Sequence, residues 1–371
     1  MKRLVRKLLP ILILTLGCVG MLFLPGPRQL AYESGATSRA KVVAVDNSGL
    51  EQHGLIEFGT QNLMVELPNG ERRAATNELR AQLELDKKFS VGDCALVVLG
   101  EEPLVARDHW RLGWLFVLFG AFCLFLVAFG GWTGLKALFS FVFSCLVVWK
   151  LLIPLCLRGW SAGWTSFGCV FVLTAVIMYL VAGWTRKGLV AFGGAMLGVV
   201  ASLVMSEFFA GVLHVNGATM PFVQTLLYSG YSDLSLSDIF IGAIILASSG
   251  AVMDLAMDVA ASAEEVVRHH PGITRRELLL SGLRVGRSVV GTMTTTLLLA
   301  YSGGYLTLLM VFAAQGTNPL DFLNSTLVSA ELVKTLVGSF GLVLVAPSTA
   351  LVASVAYSRG VSVAGPFLTE S

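Results

Sequence analysis

The sequence predicts an α-helical integral membrane bundle of about eight transmembrane helices, joined to a small extracytoplasmic all-β domain. The composition supports the bundle. Of the 371 residues, 55% are hydrophobic and only 13% are charged, and the mean hydropathy of +0.76 is far above that of a soluble domain. Several apolar runs approach or exceed the ~20 residues that cross a bilayer. They do not alternate as barrel strands do, so membrane helices are expected.

Three segments are predicted along the chain: an anchor at 1–27, a β-domain at 28–107, and a seven-helix transmembrane domain at 108–371. The anchor begins with the basic stretch MKRLVRK and continues into an apolar run, which fits either a cleaved signal or an uncleaved signal anchor. We favour the anchor, because the apolar run continues past Cys18 to Leu24.

The β-domain differs from the rest of the chain in its dense charge and short alternating stretches. RAKVVAVD, NLMVELPNG and VGDCALVVLG each read as a strand, and PNG at 68–70 reads as a turn. Strands of this length in about 80 residues predict a small barrel of the OB-like or SH3-like type.

Seven apolar runs after the β-domain are each predicted to cross the membrane. They are 112–130, 135–157, 163–183, 188–211, 238–260, 288–312 and 329–357. If the N-terminus is cytoplasmic, thirteen Lys and Arg residues fall in cytoplasmic segments, and Arg158 alone falls in the short outer loops. We therefore expect both termini in the cytoplasm and residues 28–107 outside it.

The stretch SSGAVMDLAMDVAAS places two carboxylates, Asp254 and Asp258, inside the sixth span. If that span begins at Ile239, a rise of ~1.5 Å per residue puts Asp254 about 22 Å and Asp258 about 28 Å into the membrane. Two explanations remain open. Asp254 binds a cation or a proton in a transport route, with Asp258 at its cytoplasmic mouth, or the acids form a static pair with Arg284 or Arg287.

The seventh span begins with a cluster of threonines beside a glycine. The cluster consists of Gly291, Thr292, Thr294, Thr295 and Thr296. Hydroxyl and carbonyl oxygens suit Na⁺ or a polar substrate. The alternative is helix packing through small residues.

The last span carries Glu331 and Lys334, which are three residues apart and are therefore expected to form an ion pair on one helix face. Pro347 predicts a kink or a break, and with Gly250 and Gly291 it forms the set of candidate hinge positions. In the fifth span, Gly194 and Gly198 form a GxxxG motif that predicts close helix packing and allows a dimer.

Several functional classes lack their motifs. The chain has no Walker A motif, no HExxH and no CxxC, and its five histidines form no recognisable ligand set. The six cysteines show no metal spacing. We therefore expect no enzyme activity, no cofactor and no nucleic-acid partner, while the sequence leaves open whether a metal binds.

Three motifs carry a family resemblance: GAVMDLAMDVAAS, SGLRVGRSVVGTMTTTLLLAY and GSFGLVLVAPSTALVAS, in that order. Together they resemble the YibE/F-like family of bacterial multi-pass membrane proteins, which implies a location in the bacterial cell membrane. The resemblance places the family's glycine and acid on Gly250 and Asp254, its GTM-Thr run on 291–296, and its last acid and proline on Glu331 and Pro347.

Two positions depart from the family pattern. The pattern often has an acid after the arginine that matches Arg287, and an asparagine where this chain has Thr295. Here Ser288 replaces the acid, and Asp258 is extra to the pattern. One interpretation is that Asp258 supplies the negative charge that Ser288 lacks.

We expect an ion-coupled or facilitative transporter with a polar site around Asp254. Its expected partners are the lipid bilayer and a small ion or solute, with a homo-oligomer or an envelope protein as a further candidate. The alternative is a non-transporting envelope anchor whose exported β-domain binds a partner. A cavity at Asp254 would favour transport, whereas a pair with Arg287 would favour the anchor.

Overall fold

The computed structural model describes residues 36–100 and 102–358, together with Gly17 and Gly20. Nearly all of the predicted anchor therefore lies outside the described residues. The chain divides into two compact units. The first unit, Arg28–Phe129, contains the β-domain, and the second consists of Met1–Pro27 and Gly130–Ser371.

Six strands form the β-domain. They are β1 (Thr37–Asp46), β2 (Leu50–His53), β3 (Ile56–Glu66), β4 (Arg72–Arg80), β5 (Cys94–Val98) and β6 (Leu104–His109). The order β1-β5-β6-β4-β3 closes into a five-stranded barrel because β1 pairs with both β5 and β3, while β2 extends β3. All pairs are antiparallel except β4 with β6. The predicted small barrel is confirmed, and its strand number is that of the OB fold.

Alternation along the strands sends one face of each strand into the barrel. The interior contains Val42, Val65, Val97 and Leu104, none of which is more than 1% exposed. The predicted turn joins β3 to β4, and Gly70 lies in it with φ of 83°, a conformation that favours glycine.

The helices follow β6. They are α1 (Leu112–Val147), α2 (Ile153–Leu157), α3 (Ala162–Ala182), α4 (Arg186–Val212), α5 (Val223–Tyr228), α6 (Leu236–His269), α7 (Arg275–Gly304), α8 (Leu306–Ala314), α9 (Pro319–Asn324) and α10 (Thr326–Ser358). A short 3₁₀ turn, Gly217–Thr219, precedes α5.

The run Leu112–Leu157 contains two departures from regular α-helix. Gly131 has non-helical angles, φ 51° and ψ −126°, so that α1 consists of two helices that meet there. Near the end of the run, Val148–Leu152 forms a π-helical turn. Pro154 explains it, because proline has no N–H for the carbonyl of Lys150 and its ring crowds that carbonyl.

Helix α6 is the centre of the second unit. It packs against α3, α4, α10 and α7, and these four are themselves linked in the order α3–α4–α10–α7. In the described ranges α3 and α7 have no extensive contact with each other, so that the ring of helices around α6 is open between them. We call this opening the α3–α7 gap.

The contact between α4 and α10 depends on small residues. A Cβ atom on Gly194 would overlap Thr349, and one on Gly198 would lie 2.9 Å from Val252 and 3.0 Å from Val345. The predicted close packing is therefore present, but both glycines are covered within the chain. The GxxxG motif is consequently not available for a dimer.

Two predictions for the last spans need correction. The span predicted at 288–312 is not one straight helix, since α7 and α8 meet at an angle of 67° around Tyr305. Gly303 and Gly304 precede the bend and weaken the helix there. At Pro347, where a kink or a break is predicted, there is no break, because α10 continues through this residue.

Five helical segments in the described ranges are long and apolar enough to cross a membrane, or six if α7 and α8 form one bent span. This supports a membrane protein. The prediction of eight spans counts Leu112–Leu157 as two and adds the N-terminal anchor, and it remains a prediction.

Candidate functional site

The two predicted acids lie on an exposed stripe of α6. Gly250, Asp254 and Asp258 follow one another at four-residue spacing and are exposed, whereas Leu255 and Val259 beside them are fully buried. Among the described helices none covers this stripe of α6, and it faces the α3–α7 gap. Within the described residues, neither carboxylate has a hydrogen bond or an ion pair.

The depth of the acids relative to α7 follows from one packing contact. A Cβ atom on Gly282 would lie 3.6 Å from Val259, and one on Gly286 would lie 4.0 Å from it. Since α6 and α7 form an antiparallel hairpin, Asp254, five residues before Val259, lies level with a residue about five positions beyond those glycines. Ser288 and Thr292 are within one turn of that level.

The side of α7 that borders the gap can also be identified. Tyr301 packs against Gly338 of α10, where a Cβ atom would lie 3.2 Å from its hydroxyl. Thr292 precedes Tyr301 by nine residues and so lies about 180° around the helix from it, away from α10. By the same measure Ser288, Thr295 and Thr296 are all more than about 100° from Tyr301. These four hydroxyl residues lie on the part of α7 that faces away from α10.

Each of these hydroxyls donates its proton to a backbone carbonyl of its own helix. Ser288 donates to Val285 at 2.7 Å, and Thr292 donates to Val289 at 2.9 Å. The corresponding bonds of Thr295 and Thr296 measure 3.0 and 2.9 Å. Because the proton is used inside the helix, the lone pairs of each oxygen remain to accept a donor or to contact a cation.

Thr294 lies on a different side of α7 from the other predicted threonines. Its hydroxyl is buried and has no hydrogen-bond partner among the described residues. It is seven residues from Tyr301 and therefore shares the α10 side of α7. The predicted threonine cluster thus divides, with three exposed members that face away from α10 and one member inside the bundle.

The predicted pairing of the acids with arginine is not formed. Arg284 and Arg287 are exposed, and in the described part of the chain neither makes an ion pair with Asp254 or Asp258. The helical period explains this for Arg287. It lies 14 residues from Tyr301, hence about 40° around the helix, on the α10 side rather than at the gap.

Glu331 and Lys334 do form the ion pair that their spacing predicts, at 2.6 Å. The side chains are 22% and 16% exposed, and the Lys334 ammonium lies 5.7 Å from the centre of the Phe240 ring. Phe240 precedes Asp254 by 14 residues, or about 21 Å along α6. The pair therefore belongs to the opposite end of the bundle and does not join the gap.

The candidate glycine hinges lie within continuous helix. Gly250 is inside α6 and Gly291 is inside α7, and an added Cβ atom would meet no atom within 4 Å at either position. Neither glycine is required by packing. Gly250 leaves open space on the stripe of α6 that carries the acids.

Sequence reasoning missed two polar features of the bundle. One is a set of buried hydroxyls without a partner in the described residues, which includes Ser202, Tyr301 and Tyr357. The other is the ion pair of Lys187 with Glu264, at 3.5 Å, between the start of α4 and the end of α6. The sequence shows a basic residue at the start of α4 and an acidic residue at the end of α6. No local pattern, however, predicts that these two residues meet.

The chemistry that the gap can support follows from these groups. Two carboxylates four residues apart on one helix face repel each other, so that a cation between or beside them is favoured. Across the described residues no group of three or more His, Cys, Asp or Glu side chains is placed to hold a metal ion. The donor set of two carboxylates and four hydroxyls suits a proton or a monovalent cation better than a chelated metal.

Residues 118–359 match the family of YibE/F-like proteins. The chain belongs to the YibE/F-like family. The match covers more than half of the chain and includes both acids and the hydroxyls of α7, while the barrel precedes it. No curated protein and no solved structure matches the chain.

Proposed function

We propose that this YibE/F-like protein is an ion-coupled or facilitative transporter, and that its ion or solute binds in the α3–α7 gap around Asp254. The observation that carries the proposal is a pair of carboxylates without a partner among the described residues, on a face of the central helix that no described helix covers. On α7, the hydroxyls of Ser288 and Thr292 lie within one turn of the level of Asp254 and have free lone pairs.

The cost of these acids in lipid supports a hydrated or covered gap. An ionised carboxylate in the middle of a membrane helix costs roughly 2.5–3.5 kcal/mol on insertion scales. Neither acid recovers this cost through an ion pair or a hydrogen bond with a described residue. A water-filled groove that begins at the cytoplasmic end of α6 would solvate Asp258 first and Asp254 about one turn deeper.

The same groups favour a cation over an anion as the coupled species. The acids bring two like charges to one face, and the hydroxyls of Ser288, Thr292, Thr295 and Thr296 face it as acceptors. Binding a proton or Na⁺ at Asp254 would relieve the repulsion from Asp258. We expect the solute itself to be small and polar.

The proposal includes a location and an orientation. We place the protein in the bacterial cell membrane, with both termini cytoplasmic and the barrel outside, because the basic residues are concentrated on one side of the predicted spans. No enzymatic reaction is proposed.

The test is flux into reconstituted vesicles under an imposed pH gradient and, separately, an imposed Na⁺ gradient. Asp254→Asn should lower the gradient-dependent flux by about tenfold or more, the factor that corresponds to 1.4 kcal/mol of lost ion binding. Asp258→Asn is the matched control. It should lower flux less, because Asp258 lies nearer to the cytoplasmic water.

Two results would contradict the proposal in different ways. If an Asp254→Asn protein inserts normally and transports like the wild type, the binding site does not lie in the gap. If wild-type vesicles show no flux under either gradient, the protein is not a transporter of this kind. The second result would favour the envelope anchor, a candidate supported by the closed barrel with its own core.

A further inference from the structure

The unit that contains the barrel also contains a cavity of about 560 Å³. It lies between the start of β5, the end of β6 and the first turns of α1. The residues that line it are polar at the barrel and mostly apolar on the helix: Arg39, Gly92, Asp93, Cys94 and His109, then Trp110, Gly113, Trp114 and Val117. We call this space the barrel cavity.

Arg39 gives the barrel cavity a positive charge without a carboxylate partner among the described residues. Its Nη2 atom lies 3.2 Å from Cys94 Sγ, the one side-chain contact it makes there. Asp93 also lines the cavity but makes no ion pair with Arg39. The Oδ2 atom of Asp93 accepts a hydrogen bond from the Ser90 amide at 2.8 Å and lies 4.0 Å from Nδ1 of His109.

The helical wall of the barrel cavity marks a boundary between water and lipid. Gly113, Trp114 and Val117 lie on one face of α1, and Trp110 precedes the helix. Trp114 is 80% exposed, and no residue between 112 and 130 of α1 is buried. Tryptophans at the start of an apolar membrane helix are typical of the interfacial region, where lipid headgroups lie.

We propose that the barrel cavity binds the headgroup of an anionic phospholipid. The phosphate contacts the Arg39 guanidinium, with His109 as a second donor, and the glycerol and upper acyl chain lie along Trp114 and Val117. The Arg39 guanidinium favours this ligand, because it has no ion-pair partner among the described residues and can donate two parallel hydrogen bonds to a phosphate. The gradient from polar to apolar lining matches an amphiphile rather than a free ion. The inference does not depend on transport, and its test does not measure flux.

Lipid retention by the full-length protein tests the inference. Purified protein is equilibrated with equal amounts of phosphatidylglycerol and phosphatidylcholine that have identical acyl chains, and bound lipids are counted by native mass spectrometry. Arg39→Gln should lower the affinity for the first phosphatidylglycerol by about tenfold, since a charge-assisted hydrogen bond is lost. Arg39→Lys should keep part of it. Arg107→Gln is the matched control, because Arg107 is exposed on β6 and does not line the cavity.

Alkylation of Cys94 gives an independent readout at the cavity itself. A charged, membrane-impermeant maleimide should modify Cys94 several-fold more slowly in vesicles that contain phosphatidylglycerol than in phosphatidylcholine alone, and Arg39→Gln should abolish the difference. Equal rates in both vesicles, or equal lipid retention by the wild type and Arg39→Gln, would overturn the inference. Protection by millimolar inorganic phosphate without anionic lipid would overturn the lipid as the ligand and assign a free anion instead.

Discussion

The barrel and the bundle treat their polar groups in opposite ways. Inside the barrel, Gln61 and Asn77 are at most 1% exposed, and every polar atom of the Gln61 amide is hydrogen-bonded. In the bundle, Asp254 and Asp258 have no hydrogen bond or ion pair with any described residue. A buried amide whose hydrogen bonds are all formed has a structural role, because it joins strands and loops at little net cost in free energy. A carboxylate without a partner needs another explanation, and ligand binding provides one.

We expect the largest effect on stability from a substitution inside the barrel. Gln61 donates to the side chain of Asn47 and to the Phe89 carbonyl, and it accepts from Asn77 and from the Phe89 amide. Gln61→Leu would leave the amide and the carbonyl of Phe89 buried without this partner and would remove one bond of Asn77, so it should lower the free energy of unfolding by about 4 kcal/mol. Guanidinium titration of the full-length protein, followed by pulse proteolysis of the barrel, measures the change.

Gln52→Leu is the control for that prediction. Gln52 lies on β2 and makes one exposed hydrogen bond, to the Gly54 carbonyl at 3.1 Å. The same substitution there should change stability by no more than about 0.5 kcal/mol. If Gln61→Leu is equally mild, the amide network does not hold the barrel together, and the contrast with the bundle is lost.

A second prediction compares the packed and the open sides of the bundle. Gly194→Ala would drive a methyl group into Thr349 of α10, whereas Gly250→Ala would place the same methyl group in open space at the gap. We expect Gly194→Ala to destabilise the bundle by about 2 kcal/mol through overpacking. Gly250→Ala should be neutral or stabilise by up to about 1 kcal/mol, because alanine favours the helix. Unfolding of both variants in detergent micelles checks this.

The outcome for Gly250→Ala also tests whether the gap is covered. If this variant is as unstable as Gly194→Ala, then some other surface packs closely on the stripe of α6. The gap would then be an interface rather than an open groove, and the proposed ion site would have to lie at that interface.

How far the sequence could predict these features depends on whether the signal is local. Alternation predicted the barrel, and apolar runs interrupted by Asp254 predicted a polar site in a membrane helix. The partners of Gln61 were not predictable, because Asn77 and Phe89 reach it only through the closed barrel. The division of the threonines required the packing of Tyr301 on Gly338, a tertiary contact that fixes the rotation of α7. The bend at Tyr305 also escaped, since its glycines lie within an apolar run.

A third prediction concerns the stability of Asp254→Asn, apart from its flux. Because the carboxylate has no partner among the described residues, the substitution removes no interaction on which the fold depends. The free energy of unfolding should stay within about 1 kcal/mol of the wild type or rise, as a neutral amide is less costly in a membrane. A loss of several kcal/mol in the free energy of unfolding would mean that Asp254 has a structural partner. Its role would then be structural, like that of Gln61.

The smallest expected effect is a pH dependence at the exposed β3–β4 turn. Arg73 donates a hydrogen bond to Glu71 at 2.7 Å, and this bond, with a weaker one from Asn69, lowers the pKa of Glu71 below its ordinary value of 4.5. A carboxyl group whose pKa is lower in the folded state stabilises the fold above its unfolded pKa, and this contribution is lost as the pH falls through the folded pKa. Glu71→Gln should therefore leave a slightly weaker dependence of barrel stability on pH below about 4.5, and stability at pH 7 slightly lower than in the wild type.

Denaturant titrations of the barrel between pH 3 and pH 7 measure this effect, with Glu78→Gln as the control. Glu78 is also exposed and pairs with Arg80, at 3.1 Å, so the substitution has the same chemistry. Solvent weakens both pairs, and each should contribute little. A Glu71→Gln protein whose stability falls with acid as steeply as the wild type would show that this turn has no part in the acid response. The carboxylates inside the bundle would then be the groups to examine next.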